Sequence, residues 1–166
     1  MKPAEASLPS DTEVRVKRSF AAPARLVWRA YMEPELMRRW CSGQPGWSMP
    51  VCEMDMRVGG RYRWRWRSDE NGMEFGFTGE VLEVVPHAKL VHTQSFDAGD
   101  LGVSMGGVPS IVTVAFQEAD GITLVTTTIR YASKADRDAA FATGMTDGME
   151  VSYKQLDGML GTLAVA

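Results

Sequence analysis

Arg61-Tyr62-Arg63-Trp64-Arg65-Trp66-Arg67 alternates without a break between cations and large rings. A helix turns 100° per residue and would scatter these seven side chains round its axis. A strand sends successive residues to opposite faces, so the arginines share one face and the rings the other. The run is therefore a strand with one wet and one apolar face. Gly59-Gly60 turns into it from a strand over Val51–Arg57, and Asp69-Glu70-Asn71-Gly72 follows it. Asn-Gly favours a tight hairpin because both centres of a type I′ turn need positive φ.

Working outward, the spacing predicts strands at Glu74–Val85, Lys89–Phe96, Ser110–Phe116 and Thr123–Tyr131. They are separated by Pro86-His87, a Gly-rich loop over 97–109, and Asp120-Gly121. Upstream lie a Val-rich strand, Glu13–Phe20, a helix opened by Pro23, and a second short helix over Pro34–Trp40. Downstream, Ser133 caps a helix expected to run unbroken from Lys134 to Leu163. Its apolar stripe falls at Phe141, Met145, Met149, Leu156, Leu160 and Leu163. Residues 1–12 read as a disordered leader, and 13–166 as one domain. The expected fold is α+β: a curved, seven-stranded antiparallel sheet around a long C-terminal helix, with two short helices after the first strand.

Composition narrows the function. The chain has 166 residues, 45% hydrophobic and 23% charged, with a net charge of −3. No apolar run approaches the roughly 18 residues that span a bilayer, and the charge gives no pull towards nucleic acid or anionic lipid. Residues 1–67 carry 13 basic against 7 acidic groups and the remainder the reverse bias, as surface ladders on different elements would give. Cys41 and Cys52 lack a C-x-x-C spacing, and no apolar leader opens the chain. The expectation is a cytoplasmic protein with two free thiols.

Hairpin register gathers the candidate site. With Asn71-Gly72 central, Trp66 faces Phe77 and Trp64 faces Gly79; a slip of two residues leaves the same faces together. Tyr62, Trp64, Trp66, Phe75 and Phe77 thus share a face, and the Pro86-His87 turn adds Leu90, His92, Gln94 and Phe96. Rings with a few polar groups are the usual lining of a small-molecule pocket; a packed core would use the same residues. Met145, Met149 and Tyr153 on the long helix form the opposite wall.

Other motifs carry less. Gly102-Val103-Ser104-Met105-Gly106 matches G-x-S-x-G, but it has no helix after it and no later histidine. Two histidines offer no metal-ligand spacing. Nucleic-acid binders converge rings and cations on one groove, whereas here alternation parts them. Glu53 and Asp55, beside Arg57, read as outer ion pairs, and the strand arginines as partners of Glu74 and Glu80.

Phe20-Ala21-Ala22-Pro23, Val27-Trp28-Arg29-Ala30, Pro34-Glu35, Trp40, Asp55-Met56-Arg57-Val58-Gly59-Gly60, Gly79, Glu83-Val84-Val85-Pro86 and Leu90-Val91-His92-Thr93 resemble the bacterial relatives of the Hsp90 ATPase activator's C-terminal domain. That family lies in the START-like, polyketide cyclase or Bet v 1-like (SRPBCC) superfamily. The resemblance implies the helix-grip fold, with a cavity between sheet and helix, and it assigns Asp55, Arg57, Gly59 and Gly60 to shaping a turn. It supplies no catalytic constellation, metal or cofactor. Arg39-Trp40 and Gly148-Met149 stand where the family often has Trp-Trp and Gly-Trp, and Met149 softens that end of the cavity. The expected function is binding of a small hydrophobic or aromatic ligand by Tyr62, Trp64, Trp66, Phe75, Phe77, His92, Gln94, Met145, Met149 and Tyr153. The alternatives are a cyclase or hydrolase-like enzyme with His92 moving a proton, and a chaperone-linked module by analogy only. Nucleic acid and membrane are not expected as partners; a homodimer stays open.

Overall fold

The computed structural model describes residues 1–97 and 108–163. In chain order the elements are β1 (Glu5–Ser10), β2 (Glu13–Phe20), α1 (Ala24–Met32), α2 (Pro34–Trp40), β3 (Trp47–Met54), β4 (Arg61–Ser68), β5 (Glu74–Val85), β6 (Lys89–Asp97), β7 (Ser110–Ala119), β8 (Ile122–Arg130), α3 (Lys134–Phe141) and α4 (Met145–Leu163). Among the described residues, one antiparallel sheet carries eight strands in the order β1-β2-β8-β7-β6-β5-β4-β3. Helices α1, α2 and α4 pack together over one face of it, as a helix grip requires. Most of the loop over 97–109, with the G-x-S-x-G match, lies outside the described residues.

The alternating residues behave as their polarity dictates. Along β2, β7 and β8 the inward positions Val14, Val16, Phe20, Val112, Val114, Phe116, Val125 and Ile129 are buried. On the outer face Arg65 bonds Glu74 at 3.0 Å and Asp97 at 2.7 Å. Asp55 and Arg57 pair outside the sheet at 2.9 Å. The Asp55–Gly60 turn is held by Asp55 N–H to Arg61 O and Gly60 N–H to Arg57 O, and Gly59 and Gly60 exchange bonds with Val81.

Four expectations are corrected. First, the sheet has eight strands, because residues 5–10 are not a free leader but an edge strand on β2. All six are exposed, so no apolar alternation announced them. They are tied by Ala4 N–H to Glu150 Oε1 (2.8 Å) and by Arg137 Nη1 to Ser10 O (2.6 Å), and Pro9 is tolerated because an edge strand leaves some N–H groups unpaired. Second, the long helix is two. Gly144 takes φ +79°, the left-handed conformation that ends helices, and Thr143 Oγ1 donates to Ala140 O. Phe141 therefore leaves the buried stripe and is exposed. Third, the Asn71-Gly72 turn is wider than a two-residue hairpin. Ser68 N–H bonds Met73 O and Gly72 N–H bonds Ser68 O, so Trp66 opposes Phe75, Trp64 opposes Phe77 and Tyr62 opposes Gly79. The slip is two residues, and the faces survive it. Fourth, Trp47–Met54 pairs with β4 from further upstream than Val51, through a register shift between Ser48 and Val51.

Candidate functional site

The inner face of β4–β6 is a continuous wall of rings. Trp66 stacks on Phe75 at 5.5 Å, Phe75 on Phe96 at 6.2 Å, and Phe77 meets Trp66 and Phe96 edge-on at 5.9 and 5.6 Å. Tyr62 lies 4.2 Å from Trp64, and His92 sits edge-on to both. Tyr62 and His92 are buried, whereas Trp64, Trp66, Phe75, Phe77, Gln94 and Phe96 are half-buried.

Local backbone explains how Tyr62 and His92 are fixed. A register shift in the β5–β6 ladder between Val81 and Glu83 disturbs pairing near Thr93. Glu80 N–H turns to Thr93 Oγ1 at 2.9 Å. The Thr93 carbonyl then accepts from Tyr62 Oη at 2.5 Å and His92 Nδ1 at 2.9 Å. A carbonyl only accepts, so Nδ1 carries the proton and Nε2 the lone pair. Gly79 makes this possible, since a Cβ there would collide with Thr93 O and the Tyr62 hydroxyl. Burial holds His92 below the ordinary imidazole pKa and Tyr62 above the ordinary phenol value. His92 is thus a neutral imidazole, with its ring orientation set by the backbone.

Across from the wall is a second cluster. Trp40 stacks on Tyr153 at 6.4 Å, and Tyr31 lies 4.9 Å from Trp40 and 5.3 Å from Phe116. Phe20 meets Tyr153 edge-on at 5.5 Å. The Tyr31 and Tyr153 hydroxyls approach each other, with Thr127 beside Tyr153, yet Tyr31 Oη completes no hydrogen bond. The Ser152 hydroxyl lies against the Cys41 thiol, and Cys52 is near enough to act on that thiol electrostatically. Burial pushes the Tyr153 phenol and the Cys41 thiol both up to about 12. Both cysteines are free thiols.

The segment after α2 joins the two clusters. Trp66 Nε1 donates to Cys41 O at 2.6 Å, and Gln155 Nε2 to Gly43 O at 2.9 Å. Cys52 is the cross-strand neighbour of Trp64. Of the expected site residues, the structure thus brings together Tyr62, Trp64, Trp66, Phe75, Phe77 and His92, with Gln94 beside them on β6. Tyr153 belongs to the facing cluster. Met145 and Met149 pack against the core as half-buried residues, and Met145 Sδ lies 3.7 Å from Tyr131 Oη towards the α3 end. Sequence reasoning missed Tyr31, Cys41, Ser152 and Gln155. The signal for the last two was a polar residue within the stripe of Tyr153, Leu156 and Met159 on α4.

Among the described residues, three buried side-chain polar atoms have no hydrogen-bond partner: Trp64 Nε1, Tyr31 Oη and Gln155 Oε1. Two hollows of about 500 and 250 Å³ lie elsewhere, the first by Ile111 and Arg130 and the second by Met1 and Leu160, and neither is lined by a ring of the wall. Among the described residues, no three His, Cys, Asp or Glu side chains come together as metal ligands, and no helix is long and apolar enough to cross a membrane.

A curved antiparallel sheet with a ring-lined inner face, closed over by a C-terminal helix, defines a START-like, helix-grip protein. The chain belongs to the family described as activator of Hsp90 ATPase homolog 1-like proteins, whose model matches residues 21–161. No curated protein matches it. Among solved structures it is similar to a Rhodobacter sphaeroides protein at 29% identity and a TM-score of 0.87, over 97% of this chain and 99% of that one. A Nitrosomonas europaea protein is 25% identical with a TM-score of 0.80, over 96% and 100% of the two chains. A Mycobacterium smegmatis protein shares the fold at 24% identity and a TM-score of 0.83, over 95% and 97%.

Proposed function

We propose that the protein binds a small, largely apolar or aromatic molecule between the ring wall of β4–β6 and helix α4. The observation that carries this reading is the Trp64 indole. Its N–H is buried without an acceptor, while its ring and those of Trp66, Phe75, Phe77 and Phe96 are only half-buried. A buried N–H left unpaired costs about 1–3 kcal/mol, and half-covered rings still have apolar area to lose from water. A ligand with a flat apolar body and one acceptor removes both costs together. Free thiols fit a reducing, cytoplasmic setting.

Tryptophan fluorescence tests the reading. Neutral aromatic probes titrated into the protein should quench emission saturably, with Trp64→Phe reducing the amplitude. Linear quenching throughout a broad panel, no different from free tryptophan, overturns it.

A further inference from the structure

The orphaned atoms carry the reading of the site one step further, to the chemistry of what it holds; this rests on the binding proposal above. We infer that the ligand is uncharged and bears a carbonyl-type oxygen, which accepts from Trp64 Nε1 while its aromatic body lies on the Trp66–Phe75–Phe77 rings.

The first support is what each orphan can do: Trp64 Nε1 only donates, Gln155 Oε1 only accepts, and the Tyr31 hydroxyl does either. Trp64 Nε1 is a donor only and can be answered only by an acceptor. Tyr31, 8% exposed, leaves its hydroxyl unanswered on the opposing cluster. The donors that already have partners are closed to a ligand: Trp66 Nε1 is taken by Cys41 O, Trp40 Nε1 by Ala30 O, and Tyr62 Oη and His92 Nδ1 by Thr93 O. Of the four ring-borne donors on the inner face of β4 and β6, the Trp64 N–H alone is left without an acceptor.

The second support is charge. An anion needs a cation or several N–H groups to replace its water. The two buried cations among the described residues are already answered. Arg18 is clamped by Glu150 at 3.0 Å and Asp157 at 2.7 Å, and Arg137 bonds Asp138 and Ser10 O. The β4 arginines project from the opposite face of the sheet. A cation has no lone pair with which to answer the Trp64 N–H, and Glu150, the carboxylate that acts on Tyr153, is already paired with Arg18. The interior's own titratable groups agree: burial raises the Tyr31, Tyr153 and Cys41 values and lowers that of His92, so each is held neutral.

Three probes of one shape separate the terms: naphthalene, 2-acetylnaphthalene and 2-naphthoate, each titrated at pH 7 by fluorescence and calorimetry. The ketone should bind about tenfold more tightly than naphthalene, the worth of one hydrogen bond to a buried donor. The carboxylate should bind at least tenfold more weakly than the ketone. In Trp64→Phe, which keeps a ring and removes the N–H, the ketone's advantage over naphthalene should vanish, whatever change in affinity all three probes share. The inference is overturned if 2-naphthoate binds most tightly, or if wild type does not separate ketone from naphthalene. It is also overturned if the ketone's advantage persists in a folded Trp64→Phe. If none of the three binds saturably, the binding proposal falls and takes this inference with it, an outcome distinct from the others.

Discussion

At the scale of single residues, His92 shows how the sheet sets chemistry. Its 4% exposure and its bond to Thr93 O fix a neutral ring, and burial lowers its pKa against that bond, which alone would raise it. The unfolded chain's histidine titrates near 6.5. Below that pH the unfolded state takes up a proton that the folded state refuses, so stability falls as pH drops through 6.5 towards the lower folded value. Replacing His92 by Gln should flatten this loss. Urea unfolding at pH 7.0 and 5.0 checks it: wild type should lose more stability than His92→Gln between the two. An equal loss in both would mean that the buried imidazole is protonated at little cost. His92, Gln94 and the ring wall were legible in the sequence because side-chain alternation in strands survives a two-residue error in the turn. Tyr31, Cys41 and Ser152 were not, because their meeting depends on how α1, the segment after α2, and α4 pack, which no local period encodes.

At the scale of elements, α4 is joined to the sheet by one buried ion cluster as well as by its apolar stripe. Arg18 on β2 is 2% exposed, and bonds Glu150 and Asp157 on α4 and Ser19 O on its own strand. Its guanidinium also lies 5.0 Å from the Phe20 ring centre. A buried pair adds little net stability over an apolar replacement, but removing one partner strands the other. Arg18→Leu leaves two carboxylates at the β2–α4 contact, one of them a third exposed. It should lower stability by about 3 kcal/mol, read as the urea midpoint. The double variant with Glu150→Leu should recover part of that loss; a double variant worse than the single one would contradict this account of the cluster. The element boundaries show the same division between local and tertiary causes. Pro34–Trp40 and Glu74–Val85 match their expected limits because proline and turn residues mark them. Strand β1 was invisible because what holds it is the edge of β2, Glu150 and Arg137. The α3–α4 break hinges on Gly144, whose left-handed φ of +79° ends the first helix inside a stretch that apolar periodicity marks as one.

At the scale of the whole molecule, the fold follows from two sorting events. Alternation puts the cations of β4 outside and the rings inside, and the helical stripe of α4 closes over the inner face. Ordinary packing would end there. What departs from it is a wall of half-buried rings next to an indole N–H with no partner, facing a cluster whose Tyr31 hydroxyl also lacks one. Those unmet groups, rather than any catalytic constellation, are the reason to read the interior as a receptor. The direct measurement is an ¹⁵N–¹H spectrum of the indole groups during titration with 2-acetylnaphthalene. The five tryptophans give five indole signals, with that of Trp64 assigned through Trp64→Phe. The account predicts that the Trp64 signal moves saturably and downfield as it gains an acceptor, and that the Trp66 signal moves with it. Trp28, packed between His87 and Phe116, should stay in place. A Trp64 signal that does not move while the probe binds elsewhere, or shifts confined to Trp28, would contradict it.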